Sequence, residues 1–176
     1  MAIRKITTVL ILLFTLTAHA QNYSSIISDD EISDFLNNIV NDSVPINTKI
    51  LQWHKANFKD SLSYYDLDDI LDEHLYSKSG CADTMFIQSD RAFLYKQFIS
   101  IQDSVWHKSI VRTGVTRNKR KVNGYYYSIP LFSSDKRFAV IRKVHLGKFS
   151  SGGIYIYRKS YNNVWQQYCC IIKWIT

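Results

Sequence analysis

Four basic side chains, Arg117, Lys119, Arg120 and Lys121, stand just ahead of Tyr125, Tyr126 and Tyr127 in TRNKRKVNGYYYSIPLF, residues 116–132. Cations beside aromatic rings suit a groove for single-stranded nucleic acid, where charges track the backbone and rings stack on bases. A strand, however, sends neighbouring side chains to opposite faces. Tyr125 and Tyr127 then share one face and Tyr126 takes the other, so the triplet is no continuous stacking platform. What remains is a basic loop leading into a strand. Its binding residues would be Arg117, Lys119, Arg120, Lys121, Tyr125 and Tyr127, and its partner an anionic glycan or lipopolysaccharide, with no nucleic acid expected.

Catalytic chemistry has a weaker signature. Beyond residue 20 the histidines are His54, His74, His107 and His145, none of them in H-E-x-x-H, and no serine lies in G-x-S-x-G. The only glutamates are Glu31 and Glu73. A hydrolase would have to draw on Asp103, His107, Asp135 and His145, each more simply a surface or hydrogen-bonded side chain. No catalytic residue is therefore assigned. DLDDILDEHL offers Asp66 and Asp68 to the first ligand positions of a calcium loop. It puts Ile70 where an oxygen ligand belongs and has no glycine at the sharp turn, so it reads as a solvated helix face. Gly147 and Gly152-Gly153 around KFSS lack the phosphate-loop pattern and read as a turn. No metal or cofactor is expected.

The charge is divided along the chain. Residues 21–90 carry 4 Lys and Arg against 13 Asp and Glu, and residues 91–176 carry 16 against 2. Either the halves attract each other within one domain, or the basic half presents a surface to an anionic partner. The start, MAIRKITTVLILLFTLTAHAQ, has Arg4 and Lys5, an apolar run from about Ile6 to Leu16, and then Ala18-His19-Ala20. That is a signal peptide over 1–20, too short in its apolar run for the ~20 residues of a spanning helix. The mature chain is expected to be exported, periplasmic or extracellular, with no transmembrane segment. The three cysteines, Cys81, Cys169 and Cys170, are too few for a disulfide framework. Cys169 and Cys170 should point to opposite faces of a strand, so either could pair with Cys81 but not with the other.

Residues 21–176 read as a single α+β domain, mainly helical and acidic over 21–105 and mainly β and basic over 106–176. Ser28 and Glu31 fit a capping box, and Ile32, Phe35, Leu36, Ile39 and Val40 recur at helical spacing. Further helices are predicted from about Thr48 to Asp60, along DLDDILDEHLY, and from Ser89 to about Ile101. SIVRTG, GYYYSIPLF, RFAVIRKV, GGIYIYRK and VWQQYCCIIKW read as strands, with turns at Asn123-Gly124, Ser133-Ser134-Asp135 and Asn162-Asn163. The expected fold has N-terminal helices packed on one face of a C-terminal four- to five-stranded antiparallel sheet.

Ser89 to Gln97 (S-D-x-x-F-L-Y-K-Q), Pro130 to Asp135 (P-L-F-S-x-D), Gly152-Gly153, Ile154 to Tyr157, Trp165 and Trp174 to Thr176 together form a pattern. It resembles that of a group of small exported bacterial proteins of unknown function, over about the C-terminal half. The resemblance implies export and a shared fold, and brings no activity. The group often carries paired cysteines in the turn where this chain has HLGKFSSGG, so no bridge or metal role is implied there. PLFSSDKRFAVI is also similar to one β-propeller blade, but a propeller needs several and one is present. The function expected is a non-catalytic binding or interaction protein of the cell envelope. Its partner would be an envelope protein or, as the alternative, an anionic glycan, with a small envelope hydrolase as a second alternative.

Overall fold

The structure, a computed structural model, describes residues 23–40, 46–53, 88–101, 105–112, 115–116 and 124–175. Helix α1 (Asp29–Ile39) begins where the sequence provides a cap. The Ser28 hydroxyl accepts the Glu31 amide, the Glu31 carboxylate reaches back to the Ser28 amide, and three acidic residues fill the first turn. Helix α2 spans Gln88–Ser100. The strands are β1 (Ile46–Asn47), β2 (Val115–Thr116), β3 (Gly124–Tyr127), β4 (Leu131–Phe132), β5 (Phe138–Leu146), β6 (Ser151–Lys159) and β7 (Trp165–Ile175).

They form one mixed sheet in the order β2-β1-β3-β5-β6-β7, with β4 beside β5. All pairings from β3 onwards are antiparallel, while β1 runs parallel to both β2 and β3. The α+β class is as expected, but the sheet has more strands and is not purely antiparallel. The stretch expected to be helical from Thr48 begins extended: Lys49 bridges Val105, and the Leu51 amide donates to the Tyr127 carbonyl at 2.8 Å. SIVRTG is a turn over its described residues, with the strand beginning at Val115. The helix expected along DLDDILDEHLY lies outside the described residues.

Strands β3 and β4 follow one another along the same side of β5, and Ser128-Ile129-Pro130 shifts the register between them. Proline has no N–H to give a ladder, so the pairing breaks there. The Ser128 hydroxyl accepts the Arg142 amide at 3.0 Å, and the Trp53 indole donates to the Ile129 carbonyl at 2.8 Å. The backbone polar groups at the break thus keep partners, as buried groups must.

The two sheet faces carry two cores. Ile32, Phe35 and Leu36 of α1 pack with Tyr127, Ala139, Ile141, Tyr157 and Trp165. Leu94 and Phe98 of α2 pack with Leu131, Val140, Ile154 and Ile156. Ala139 and Val140 are neighbours on one strand and so face opposite ways. The sequence reading put the helices on one face; α1 and α2 instead cover opposite faces, each with its own half of the β5 alternation. Phe35 is the hub of the first core, edge-on to Phe132, Tyr157 and Trp165 at centroid distances of 5.6, 5.5 and 5.0 Å.

Against β6, β7 skips one residue at Ile171 and another at Tyr168. These bulges put Cys170 opposite Tyr155 and Cys169 opposite Ile156, on different faces. Cys169 is disulfide-bonded, whereas Cys170 keeps its thiol and hydrogen-bonds Tyr155. Cys81 lies outside the described residues.

Candidate cation-rich cleft

The basic run Arg117, Lys119, Arg120 and Lys121 lies outside the described residues. Val115 and Tyr125, just beyond its ends, are both partners of Ile46, on either side of β1. Tyr125 and Tyr127 share a face with Lys143 and His145, the residues opposite Tyr127 and Tyr125 in the register. Lys143 also lies opposite Gly153, which has no side chain to crowd it. Its ammonium sits over the Tyr125 ring at 4.7 Å and the Tyr127 ring at 5.7 Å, and burial pushes its pKa down. Tyr125 is partly buried, its ring 4.8 Å from that of His145. Tyr127 is only 2% exposed and belongs to the core, with burial and neighbouring tyrosines raising its pKa.

A second concentration of charge lies at the opposite end of β5, where the β4–β5 and β6–β7 connections meet. Both connections are built alike. Ser133 and Ser160 open them, and the amides of Lys136 and Asn163 donate to the carbonyls of those serines at 2.9 and 3.0 Å. Lys136 and Asn163 adopt left-handed backbone, with φ of 58° and 59°, the only non-glycine residues with positive φ among those described. Asparagine accepts this conformation readily, lysine less so. The Lys159 amide donates to the Arg137 carbonyl at 2.8 Å and ties the two turns together.

Between them opens a cleft of about 670 Å³ whose lining includes Lys136, Arg137, Arg158 and Lys159 against a single carboxylate, Asp135. That carboxylate is already engaged, accepting the Ser133 hydroxyl at 2.7 Å and the Arg137 amide at 3.0 Å. Partial burial works against its charge, but these hydrogen bonds and the Arg137 charge outweigh it and hold Asp135 below the usual carboxylate range. Lys136 is ion-paired with Glu31, and Lys159 approaches Asp34 at 3.9 Å and the Trp165 ring at 5.5 Å. Both acidic partners belong to α1 and line an adjoining cavity of about 290 Å³ with Phe132 and Trp165. Arg158 lies over the Phe138 ring at 5.9 Å, and Phe138 in turn meets Tyr168 edge-on at 6.4 Å.

Among the described residues the acidic half therefore meets the basic half at Lys136 and Lys159, while Arg137 and Arg158 have no salt bridge there. Sequence reasoning placed both turns and passed over their arginines. The signal was available in principle, because successive antiparallel strands return every second turn to the same end of a sheet.

The hydrolase candidates are not drawn together. Asp135 and His145 lie toward opposite ends of β5, which at nine residues is about 30 Å long. His107 sits beside Tyr23, whose hydroxyl accepts its amide at 2.7 Å, and Asp103 is outside the described residues. Among the described residues no three His, Cys, Asp or Glu side chains gather as a metal site would require. No described helix is long and apolar enough to cross a membrane. Compared with protein-family models, curated proteins and solved structures, the chain matches none.

Proposed function

We propose that the chain is an exported, non-catalytic binding protein of the cell envelope, and that its ligand is anionic. The observation that carries this reading is the cleft between the two serine-opened turns, where Arg137 and Arg158 have no salt bridge among the described residues and the one lining carboxylate, Asp135, is already hydrogen-bonded within its own turn. An anion entering there gains charge-assisted hydrogen bonds without displacing an internal partner of either arginine. The sequence from 91 to 176 carries 16 Lys and Arg against 2 Asp and Glu, an excess of one sign that favours capture of a long polyanion.

Export is supported by the leader over 1–20, by the resemblance of the C-terminal half to small exported bacterial proteins, and by the disulfide at Cys169, a bond that persists in oxidising compartments. The test is capture from the native envelope with the mature chain as bait. Anionic glycan released by a salt step supports the proposal. A stoichiometric protein that resists the salt step supports the other binding reading, an envelope protein partner held through buried aromatic contacts.

A further inference from the structure

The cleft specifies more than a sign of charge. Its lining adds the carboxamides of Asn163, Gln166 and Gln167 and the rings of Tyr161 and Tyr168 to the two arginines. Register places Gln166 opposite Arg158 across the β6–β7 ladder and Arg158 opposite Phe138 across β5–β6. A guanidinium fork, a ring beneath it and a carboxamide beside it thus lie in one row. Arginine is suited to carboxylate and phosphate because its donors match two acceptor oxygens at once, and a ring under the guanidinium restricts its rotation.

Both tyrosines present ring surface to solvent, Tyr168 while its ring also meets Phe138 edge-on. Tyr161 is 95% exposed at the tip of its turn and Tyr168 is 52% exposed. Tyr168 is the extra residue of a bulge, and bulges commonly re-aim a side chain next to a functional site. The left-handed Lys136 and Asn163 add two more backbone irregularities to the same cleft. Residues held in sparsely populated backbone regions cluster at ligand sites. Cations, amides that both donate and accept, and flat rings open to solvent match a ligand with acidic groups, many hydroxyls and apolar C–H faces. That is an acidic saccharide.

We propose that the cleft between the 133–137 and 160–163 turns is a binding site for a carboxylated or phosphorylated sugar, with Arg137 and Arg158 on the acidic group and Tyr161 and Tyr168 against the ring. This rests on the anionic-ligand reading above and gives it an address.

The test measures binding of the mature chain to polygalacturonate, to lipopolysaccharide vesicles, to a neutral glucan and to polyglutamate. Comparison variants are Arg137→Ala/Arg158→Ala, Tyr161→Ala/Tyr168→Ala and Lys119→Ala/Arg120→Ala/Lys121→Ala. The proposal expects binding to polygalacturonate or lipopolysaccharide, the stronger of the two distinguishing carboxylate from phosphate, and none to the neutral glucan. Each arginine should be worth about tenfold in affinity, the tyrosine pair a smaller loss, and Arg137→Lys/Arg158→Lys an intermediate one. Arg137, Arg158, Tyr161 and Tyr168 lie at the surface, and an unchanged thermal midpoint checks the fold of every variant. If the wild type binds and only the 119–121 variant loses affinity, the cleft assignment is overturned while the anionic reading stands. If polyglutamate binds as well as either glycan and the tyrosine variant is silent, the saccharide is overturned. If the wild type binds none of the anionic probes, both readings fall.

Discussion

Gln97 and Phe132 exchange two hydrogen bonds: the Phe132 amide donates to Gln97 Oε1 at 2.8 Å, and Gln97 Nε2 donates to the Phe132 carbonyl at 2.6 Å. Phe132 lies on β4, whose ladder partner is β5 alone, so its outward backbone would otherwise be a buried strand edge. A side-chain amide takes the place of a neighbouring strand. Seven residues earlier, in the first turn of α2, Asp90 does a related job, accepting the Ser134 amide at 2.9 Å and its hydroxyl at 2.5 Å. The stretches Ser89–Gln97 and Pro130–Asp135 are therefore two halves of one joint.

Replacing Gln97 by leucine should strand both Phe132 backbone groups in a site where the side chain is only 1% exposed. The expected loss is about 2–4 kcal/mol, read as a lower urea midpoint at unchanged slope. Gln97→Glu should be nearly as damaging at neutral pH and less so in acid, where a protonated carboxyl can both donate and accept.

Phe35→Ala removes the ring against which Phe132, Tyr157 and Trp165 pack edge-on and should cost about 3–5 kcal/mol. Tyr161→Ala, at a fully solvated turn tip, should stay within about 0.5 kcal/mol in the same denaturation series.

Alkaline pH should unfold the protein through its buried tyrosines. Burial, with smaller contributions from Tyr155 and Cys170, pushes the Tyr157 hydroxyl from 10.0 up to about 12, and burial raises Tyr127 as well. The folded state then holds its protons more tightly than the unfolded chain, so this contribution is complete below pH 10 and is lost as pH rises through the folded values. Tyr157→Phe cannot ionise and should flatten the alkaline limb of a stability–pH curve followed by urea unfolding.

The turn conformations predict a contrast at one position. With φ at 59°, Asn163→Gly should be close to neutral, while a β-branched Asn163→Val should destabilise by about 1–2 kcal/mol in thermal unfolding.

Much of this architecture can be read in the chain because the signal is local. The Ser28–Glu31 box starts α1, the Ser89–Gln97 stretch lies in α2, and alternation in RFAVIRKV and GGIYIYRK sets β5 and β6. It also puts Cys169 and Cys170 on opposite faces. What escapes sequence reading is set by partners distant along the chain. Two residues of β1 carry no periodicity, so a parallel pairing with β2 and β3 leaves no mark. The bulges at Tyr168 and Ile171 are one-residue offsets visible only against β6. Helix α1 has an apolar stripe, but nothing in it says which sheet face it meets, and the apolar residues of α2 are spread around the helix rather than gathered in one stripe. Arg137 and Arg158 read individually as solvated charges, and only the return of alternate turns to one sheet end makes them neighbours.

Capture of a polyanion by charge, as proposed for this chain, has to show itself in the dependence of binding on salt. Affinity for lipopolysaccharide or polygalacturonate should be measured from low salt to about 0.3 M, since release of counterions makes the logarithm of the binding constant fall linearly with the logarithm of salt. A steep fall is expected for the wild type and a shallower one for Arg137→Ala/Arg158→Ala. Binding that stays level across that range, or is absent at low salt, would contradict it.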